Sequence, residues 1–222
     1  MRRASKVYKI DLHTHSTGSR DGSLSASDYR RMLDGGGLDF IAVTDHDSIA
    51  FAQKLRREFG EKIIIGEEIT AREGELIGLF LTEVIQAGLS ALATAKAINE
   101  QGGLVYVPHP FETVRKGLPL KILDEIANHI DIVETHNGRA IFQNKSAQVK
   151  AWAEGHGKPT AASSDAHGRA GWGRTFSIIH EKPTRENLAE LLRAAKYQTD
   201  NVGARGMLYP KLNRVKRKFH HA

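Results

Sequence analysis

Three short stretches of this 222-residue chain carry metal-ligating side chains at a spacing that lets them act together: His13-Thr14-His15, Thr44-Asp45-His46-Asp47 and Asp165-Ala166-His167. On extended backbone, residues two apart point to the same side, so His13 with His15, and Asp165 with His167, could approach one metal ion together. Imidazole nitrogen and carboxylate oxygen without sulfur suit zinc, manganese or iron. The chain has no cysteine, which excludes disulfides and cysteine-ligated zinc or iron–sulfur sites. Glu68 and Asp165 are the candidates to bridge two ions. Two metals about 3.5–4 Å apart can clamp a phosphate, and a water shared between them becomes a hydroxide nucleophile near neutral pH. Taken singly, a His-x-His or Asp-x-His tripeptide occurs by chance, and a lone strand-end histidine is more often a cap or a core hydrogen-bonder.

The case rests on where these residues fall. Apolar, β-branched runs at Val7–Leu12, Phe40–Thr44, Lys62–Gly66, Leu76–Leu81, Leu104–Val107, Ile130–Thr135, Pro159–Ser163 and Phe176–His180 read as strands. Amphipathic stretches at Ala26–Leu33, Ser48–Phe59, Ala91–Glu100, Pro119–His129, Ile141–Glu154 and Arg185–Ala194 read as helices between them. Repeated β-then-α units predict a parallel sheet with helices outside, open or closed into a barrel. The ligand types then sit where strands end: Asp11 to His15, Asp45 to Asp47, Glu67-Glu68, Pro108-His109-Pro110, His136-Asn137 and Ser164 to His167. In a parallel α/β protein those ends share one rim, where active sites form. Burying so many ionisable groups in one rim is costly unless cations compensate them. Asp45 and Asp47 could orient His46 or cap the helix near Ser48.

Hydrophobic residues make up 40% and charged residues 26%, which suits one soluble core. No apolar run is long enough for a transmembrane helix, and the basic segment Met1–Ile10 has no apolar signal-peptide core, so the expected compartment is the cytoplasm. The net charge of +6 comes entirely from six basic residues between Arg205 and the end, with no acidic residue among them. The expected division is therefore a neutral barrel over 1–204 and a basic helical tail over 205–222, with the charge belonging to the tail and not to a groove. Leu208, Leu212, Val215 and Phe219 share one helix face, which is expected to dock on the barrel, with attachment to an anionic membrane or RNA as the sharper reading.

In order along the chain, Asp11-Leu12-His13-Thr14-His15-Ser16, Thr44-Asp45-His46-Asp47, Gly66-Glu67-Glu68-Ile69-Thr70, Pro108-His109-Pro110 and Ser164-Asp165-Ala166-His167 resemble the motifs of the PHP (polymerase and histidinol phosphatase) family, over about residues 10–179. The resemblance implies a distorted, TIM-like (βα)7 barrel, a trinuclear metal centre and phosphoesterase activity. Carried over motif by motif, it implies as ligands His13, His15, Asp21, His46, Glu68, His109, Asp165 and His167, and it prefers Glu68 to Glu67. Many relatives complete the third metal site with a histidine before a Leu-Gly pair. Here Glu75 holds that place, and His136 is an alternative ligand.

The expected function is hydrolysis of a phosphomonoester on a nucleotide, a nucleoside 3′,5′-bisphosphate or a small metabolite, with two or three divalent ions. Glu68, Asp165 and His167 would be catalytic, with a metal or His167 assisting the leaving oxygen, and Arg115, Arg139 and Asn137 would bind substrate. Three alternatives remain open: a nuclease that acts on RNA or DNA ends with the basic tail as anchor, a hydrolase of carbon–nitrogen bonds, and a non-catalytic metal-stabilised scaffold that binds a partner.

Overall fold

A computed structural model describes residues 6–140, 143–201 and 203–220. The strands are β1 (Tyr8–Asp11), β2 (Phe40–Val43), β3 (Ile63–Thr70), β4 (Glu75–Leu79), β5 (Leu104–Val107), β6 (Ile132–Asn137), β7 (Thr160–Ser163), β8 (Phe176–Ile179) and β9 (Lys196–Gln198). The helices are α1 (Ala26–Asp34), α2 (Ala50–Phe59), α3 (Ala91–Glu100), α4 (Leu120–Glu125), α5 (Ser146–Gly155), α6 (Leu188–Arg193) and α7 (Gly203–His220). The start of the expected helix Ile141–Glu154 lies outside the described residues. No helix among those described is long and apolar enough to cross a membrane.

The strands form one curved sheet in the order β7-β6-β5-β4-β3-β2-β1-β8-β9. Alternate residues divide its faces, as the two-residue period of a strand requires. Ile10, Phe40, Ala42, Ile64, Leu104, Tyr106, Ile132 and Ala161 turn to one apolar cluster, which includes Leu188, Leu191 and Leu192 of α6. Ile41, Val43 and Ile63 turn the other way with residues of α1 and α2, and Val105, Val107 and Val133 with residues of α3, α4 and α5. Side chains link β7 to the far edge of the sheet. Ser177 Oγ of β8 accepts from Ala162 N at 2.9 Å and donates to Ala162 O at 3.1 Å, and Tyr197 OH of β9 donates to Thr160 O at 3.0 Å. The sheet is thereby a nearly closed barrel with helices outside.

The expectation of an all-parallel sheet needs correction. β4 runs antiparallel to both neighbours, β8 is antiparallel to β1, and β9 to β8. The β3–β4 connection spans only residues 71–74, enough for a hairpin and too short for a crossover helix. Pairing with β4 also extends β3 to Thr70, four residues past the expected end, so Glu68 sits inside a strand rather than at its end. β9, three residues with no apolar run, carried no readable signal.

Ser177 is fully buried. Ser177→Ala strands an N–H and a C=O of Ala162, and is expected to cost about 1–3 kcal/mol of stability. Urea denaturation of the variant against the native protein measures it.

Candidate metal centre

Each ligand-type residue reaches the rim by a different local device. β1 continues past Asp11 into His13-Thr14-His15, where His15 N donates to Ala166 O at 2.9 Å and ties the first motif to the last. Buried Asp11 strengthens that tie by accepting from Ser164 N at 3.0 Å and Ser164 Oγ at 2.5 Å. Burial raises its pKa to about 7. Asp21 stands on a loop folded back so tightly that a Cβ on Gly22 would lie 2.1 Å from Ser16 O, a place only glycine can take. His109 and Asp165 both adopt left-handed backbone, with φ of 30° and 51°, uncommon for residues other than glycine and concentrated at functional sites.

The side chains converge. Glu68 Oε2 lies 3.4 Å from His13 Nε2, 3.2 Å from His15 Nε2 and 3.3 Å from His46 Nδ1, and Glu68 Oε1 is 3.1 Å from His109 Nε2. Asp165 Oδ1 is 3.6 Å from His13 Nε2, 3.5 Å from His15 Nε2 and 3.3 Å from His167 Nδ1. Asp21 Oδ1 faces His46 Nε2 and His167 Nε2 at 3.7 and 3.5 Å. Four overlapping groups are close enough to hold an ion: His15 with Asp21, His46 and His167; His13 with His15 and Glu68; His13 with His109 and Asp165; and His46 with Glu68 and Glu75. Nine of the ten sequence-derived ligand candidates are in this set.

His136 is the exception, and the reason is local. A register shift between Glu134 and His136 interrupts the β6–β7 pairing. Such an irregularity breaks the alternation of sides. Glu134 and Asn137 face the cluster, while His136 lies with its ring 5.4 Å from that of Tyr197 and its Nδ1 3.1 Å from Thr135 Oγ1. Asn137 does not line the central cavity either. Its amide donates to Glu134 Oε2 at 2.8 Å and Asp165 Oδ2 at 3.3 Å, and its carbonyl accepts from Arg115 at 2.5 Å, so it holds the carboxylates and Arg115 from behind. Asp45 and Asp47 neither orient His46 nor cap α2. Asp45 accepts from Ser16 N and Oγ, and Asp47 from Thr70 N at 2.8 Å.

Sequence reasoning missed Glu134, which had no motif to mark it. Fully buried, it accepts from His109 N at 2.7 Å and Tyr106 OH at 2.9 Å, and its Oε1 lies 3.2 Å from His13 Nδ1. This leaves His13 Nε2 pointing at Glu68 and Asp165, the carboxylate–imidazole arrangement that orients a metal-binding histidine. Glu67, the neighbour set aside, is also buried, but it accepts from Ile85 N at 2.8 Å on the other side of β3.

The electrostatics show groups in need of a cation. Burial alone would lower the pKa of His13, but Asp165, Glu68 and Glu134 raise it well above the usual histidine value. Burial would raise Glu68 and Asp165, yet the facing histidines, with Arg139 and Arg115 at Asp165, hold both well below the ordinary carboxylate range. Glu75, buried beside Glu68, is pushed up to about 9. Burial, His15 and Arg139 push His167 down to about 3, which keeps its imidazole neutral, as a metal ligand must be and a proton donor cannot. The Nδ1 atoms of His15 and His109 are buried without a hydrogen-bond partner among the described residues. Donors of this type and crowding fit divalent metal ions.

The cluster floors a cavity of about 560 Å³ lined also by Arg20, Arg115, Lys116, Arg139, Met207, Pro210, Lys211 and Arg214. Arg115 donates to Asp165 Oδ2 at 2.7 Å and to Glu112, and Arg139 to Asp165 Oδ1 at 3.2 Å. Lys211 and Arg214 come from α7, so the expectation that the tail's charge lies apart from any groove is overturned.

No family model matches the chain. An uncharacterised protein of Methanocaldococcus jannaschii is 36% identical over 149 residues, covering 61% of this chain and 87% of the relative. A second uncharacterised protein of that organism is 31% identical over 207 residues, 87% of this chain and 81% of the relative. A 5′-3′ exoribonuclease of Haemophilus influenzae is 34% identical over 100 residues, 42% of this chain and 36% of the enzyme. Among solved structures, a two-domain protein of Bacteroides vulgatus containing a predicted PHP-like metal-dependent phosphoesterase superposes with a TM-score of 0.70 at 18% identity, over 94% of this chain and 70% of that one. Endonuclease Q, bound to a duplex with an abasic lesion, superposes with a TM-score of 0.58 at 17% identity, over 86% of this chain and 58% of that one. By sequence the chain belongs to one family with the two M. jannaschii proteins, and its barrel, with five PHP-type motifs gathered near its rim, has the fold of the PHP-like proteins.

Proposed function

We propose that this protein is a metal-dependent hydrolase of phosphoesters, acting on a phosphomonoester of nucleotide or small-metabolite size. The observation that carries the reading is the position of Glu68 and Asp165. Each sets carboxylate oxygens among three or more imidazole nitrogens, beneath a cavity ringed with arginine and lysine. His13, His15, Asp21, His46, Glu68, Glu75, His109, Asp165 and His167 would hold two or three ions, and zinc, manganese or iron suit such donors. Bound there, such ions would lower the pKa of a water and offset charge developing on the phosphoryl oxygens.

The chain's own residues do the rest. Arg115 and Arg139 keep their guanidinium groups beside Asp165, where N–H groups can meet nonbridging oxygens. Glu134 fixes the ring of His13, and Asn137 fixes Asp165 and Arg115. Glu75 supplies a carboxylate where many relatives of the PHP type have an imidazole, and with His46 and Glu68 it would give a third ion oxygen ligation. A second reading, hydrolysis at nucleic-acid ends, draws support from the cationic mouth of the cavity and from the partial similarity to an exoribonuclease and to Endonuclease Q.

The deciding experiment pairs elemental analysis of the purified protein with a turnover screen over mononucleotides, nucleoside bisphosphates, histidinol phosphate and short RNAs. Metal with turnover of small monoesters is the expected result. Turnover of RNA alone favours the nuclease reading, and bound metal without any turnover leaves a scaffold. Glu134→Gln is expected to weaken metal binding or activity by about 10–100-fold while the protein still folds, checked by metal titration and circular dichroism. Glu75→Gln is expected to lower the bound-metal stoichiometry by one ion without emptying the others, read by mass spectrometry of the intact loaded protein.

A further inference from the structure

We infer that the outward face of α7 is a docking surface for an anionic phospholipid bilayer, fastened to the metal-site loops so that the cavity opens beside the lipid.

The first observation is which way α7 faces. Leu208, Leu212 and Val215, the stripe expected to dock on the barrel, are instead 52%, 49% and 47% exposed, and the Phe219 side chain lies outside those described. The opposite face makes the contacts. Asn213 Nδ2 donates to Asp21 O at 2.7 Å and His167 O at 3.2 Å, and Arg214 Nη2 to Asp21 Oδ2 at 2.6 Å. Tyr209 lies so close over Gly168 that a Cβ there would meet the ring at 2.6 Å. The helix is thus fixed by the two loops that carry Asp21 and His167, and its apolar stripe is left outside. Eight large apolar side chains are exposed among those described, and three of them are in this stripe. An exposed leucine standing alone is ordinary, whereas three in line along one helix face mark an interaction surface.

The second observation is the charge beside the stripe. At about 3.6 residues per turn, Lys211 falls on one flank of Leu208, Leu212 and Val215 and Lys216 on the other. Both lysines are exposed, and neither pairs with a carboxylate among the described residues. The chain has no acidic residue from position 201 onward. An apolar stripe between lysines suits a helix lying in the plane of a bilayer interface. The apolar side enters the acyl boundary, and the ammonium groups reach the phosphates of anionic headgroups. Other occupants fit less well. A second copy set stripe to stripe would bring four lysines together, two from each helix, with no carboxylate of either helix to meet them. RNA would meet the lysines and leave the leucines without a partner. Lys211 also lines the cavity, so a bilayer against the stripe borders the cavity mouth and sets the metal centre at the membrane surface.

Cosedimentation of the full-length protein with vesicles tests the surface. Vesicles of an equal mixture of phosphatidylglycerol and phosphatidylcholine should bind about tenfold or more tightly than vesicles of phosphatidylcholine alone. The double variant Leu208→Gln, Leu212→Gln should weaken binding to the anionic vesicles about tenfold, and Lys216→Glu by roughly as much. Lys216→Arg should keep it, and all variants should keep the native metal content and circular dichroism. Absence of binding to the anionic vesicles, or binding that the double leucine variant leaves unchanged, would overturn the inference. So would a dimer in light scattering that the double variant abolishes, which assigns the stripe to a second copy, or capture of short RNA, lost in Lys216→Glu, by a protein that no vesicle binds. Vesicle binding requires no turnover, so this inference and the phosphoesterase reading can fail separately.

Discussion

Everything about the rim follows from one crowding constraint. His13 Nε2 and His15 Nε2 face each other at 3.1 Å, and the carboxylates of Glu68 and Asp165 sit against both, away from water. Ionised groups taken out of water this densely are tolerated only when geometry and opposite charge compensate them. The surrounding structure supplies the geometry. Asp11 staples the first motif to the last, Glu134 fixes His13, and the left-handed backbone at His109 and Asp165 turns those side chains inward. The remaining compensation is what cations provide. A centre of this kind therefore links metal occupancy to stability as well as to chemistry.

Much of this was legible in the amino-acid order because strand alternation and ligand spacing are local. His13 and His15 point where a two-residue period says they should, whereas Asp165 joins His167 through left-handed backbone just past β7; the strands that lead to both pairs were readable from β-branched runs. Glu68 converges on the cluster although its strand runs on to Thr70, because β4 pairs with it antiparallel; the four-residue link between them was the available sign. His136 was unreadable for a different reason. One register irregularity in β6 sends it to the Tyr197 side and Asn137 to the Asp165 side, and nothing in the residue types announces a bulge. Glu134 was invisible because its role is defined by what it touches, His13, Tyr106 and His109, across 25 to 121 positions of sequence.

The tail shows where pattern and packing part company. Its apolar stripe and its charge imbalance are both real features of the sequence, yet the helix meets the barrel by another face than the stripe, and its charge lies at the cavity. A hydrophobic stripe predicts the buried face of a helix only when apolar burial dominates its docking. Here three apolar side chains stay half in water, while Asn213 and Arg214 satisfy two main-chain carbonyls and a buried carboxylate next to the metal cluster. The bond to the desolvated Asp21 carboxylate contributes about 1.5–3 kcal/mol and each amide-to-carbonyl bond about 0.5–1.5 kcal/mol, together comparable to burying a leucine or two, so they can reverse the orientation that hydropathy favours. The same reversal carries Lys211 and Arg214 from an apparently separate basic segment into the mouth of the cavity. A net charge confined to one end of a chain thus says nothing about which surface it serves until the fold has brought that end home.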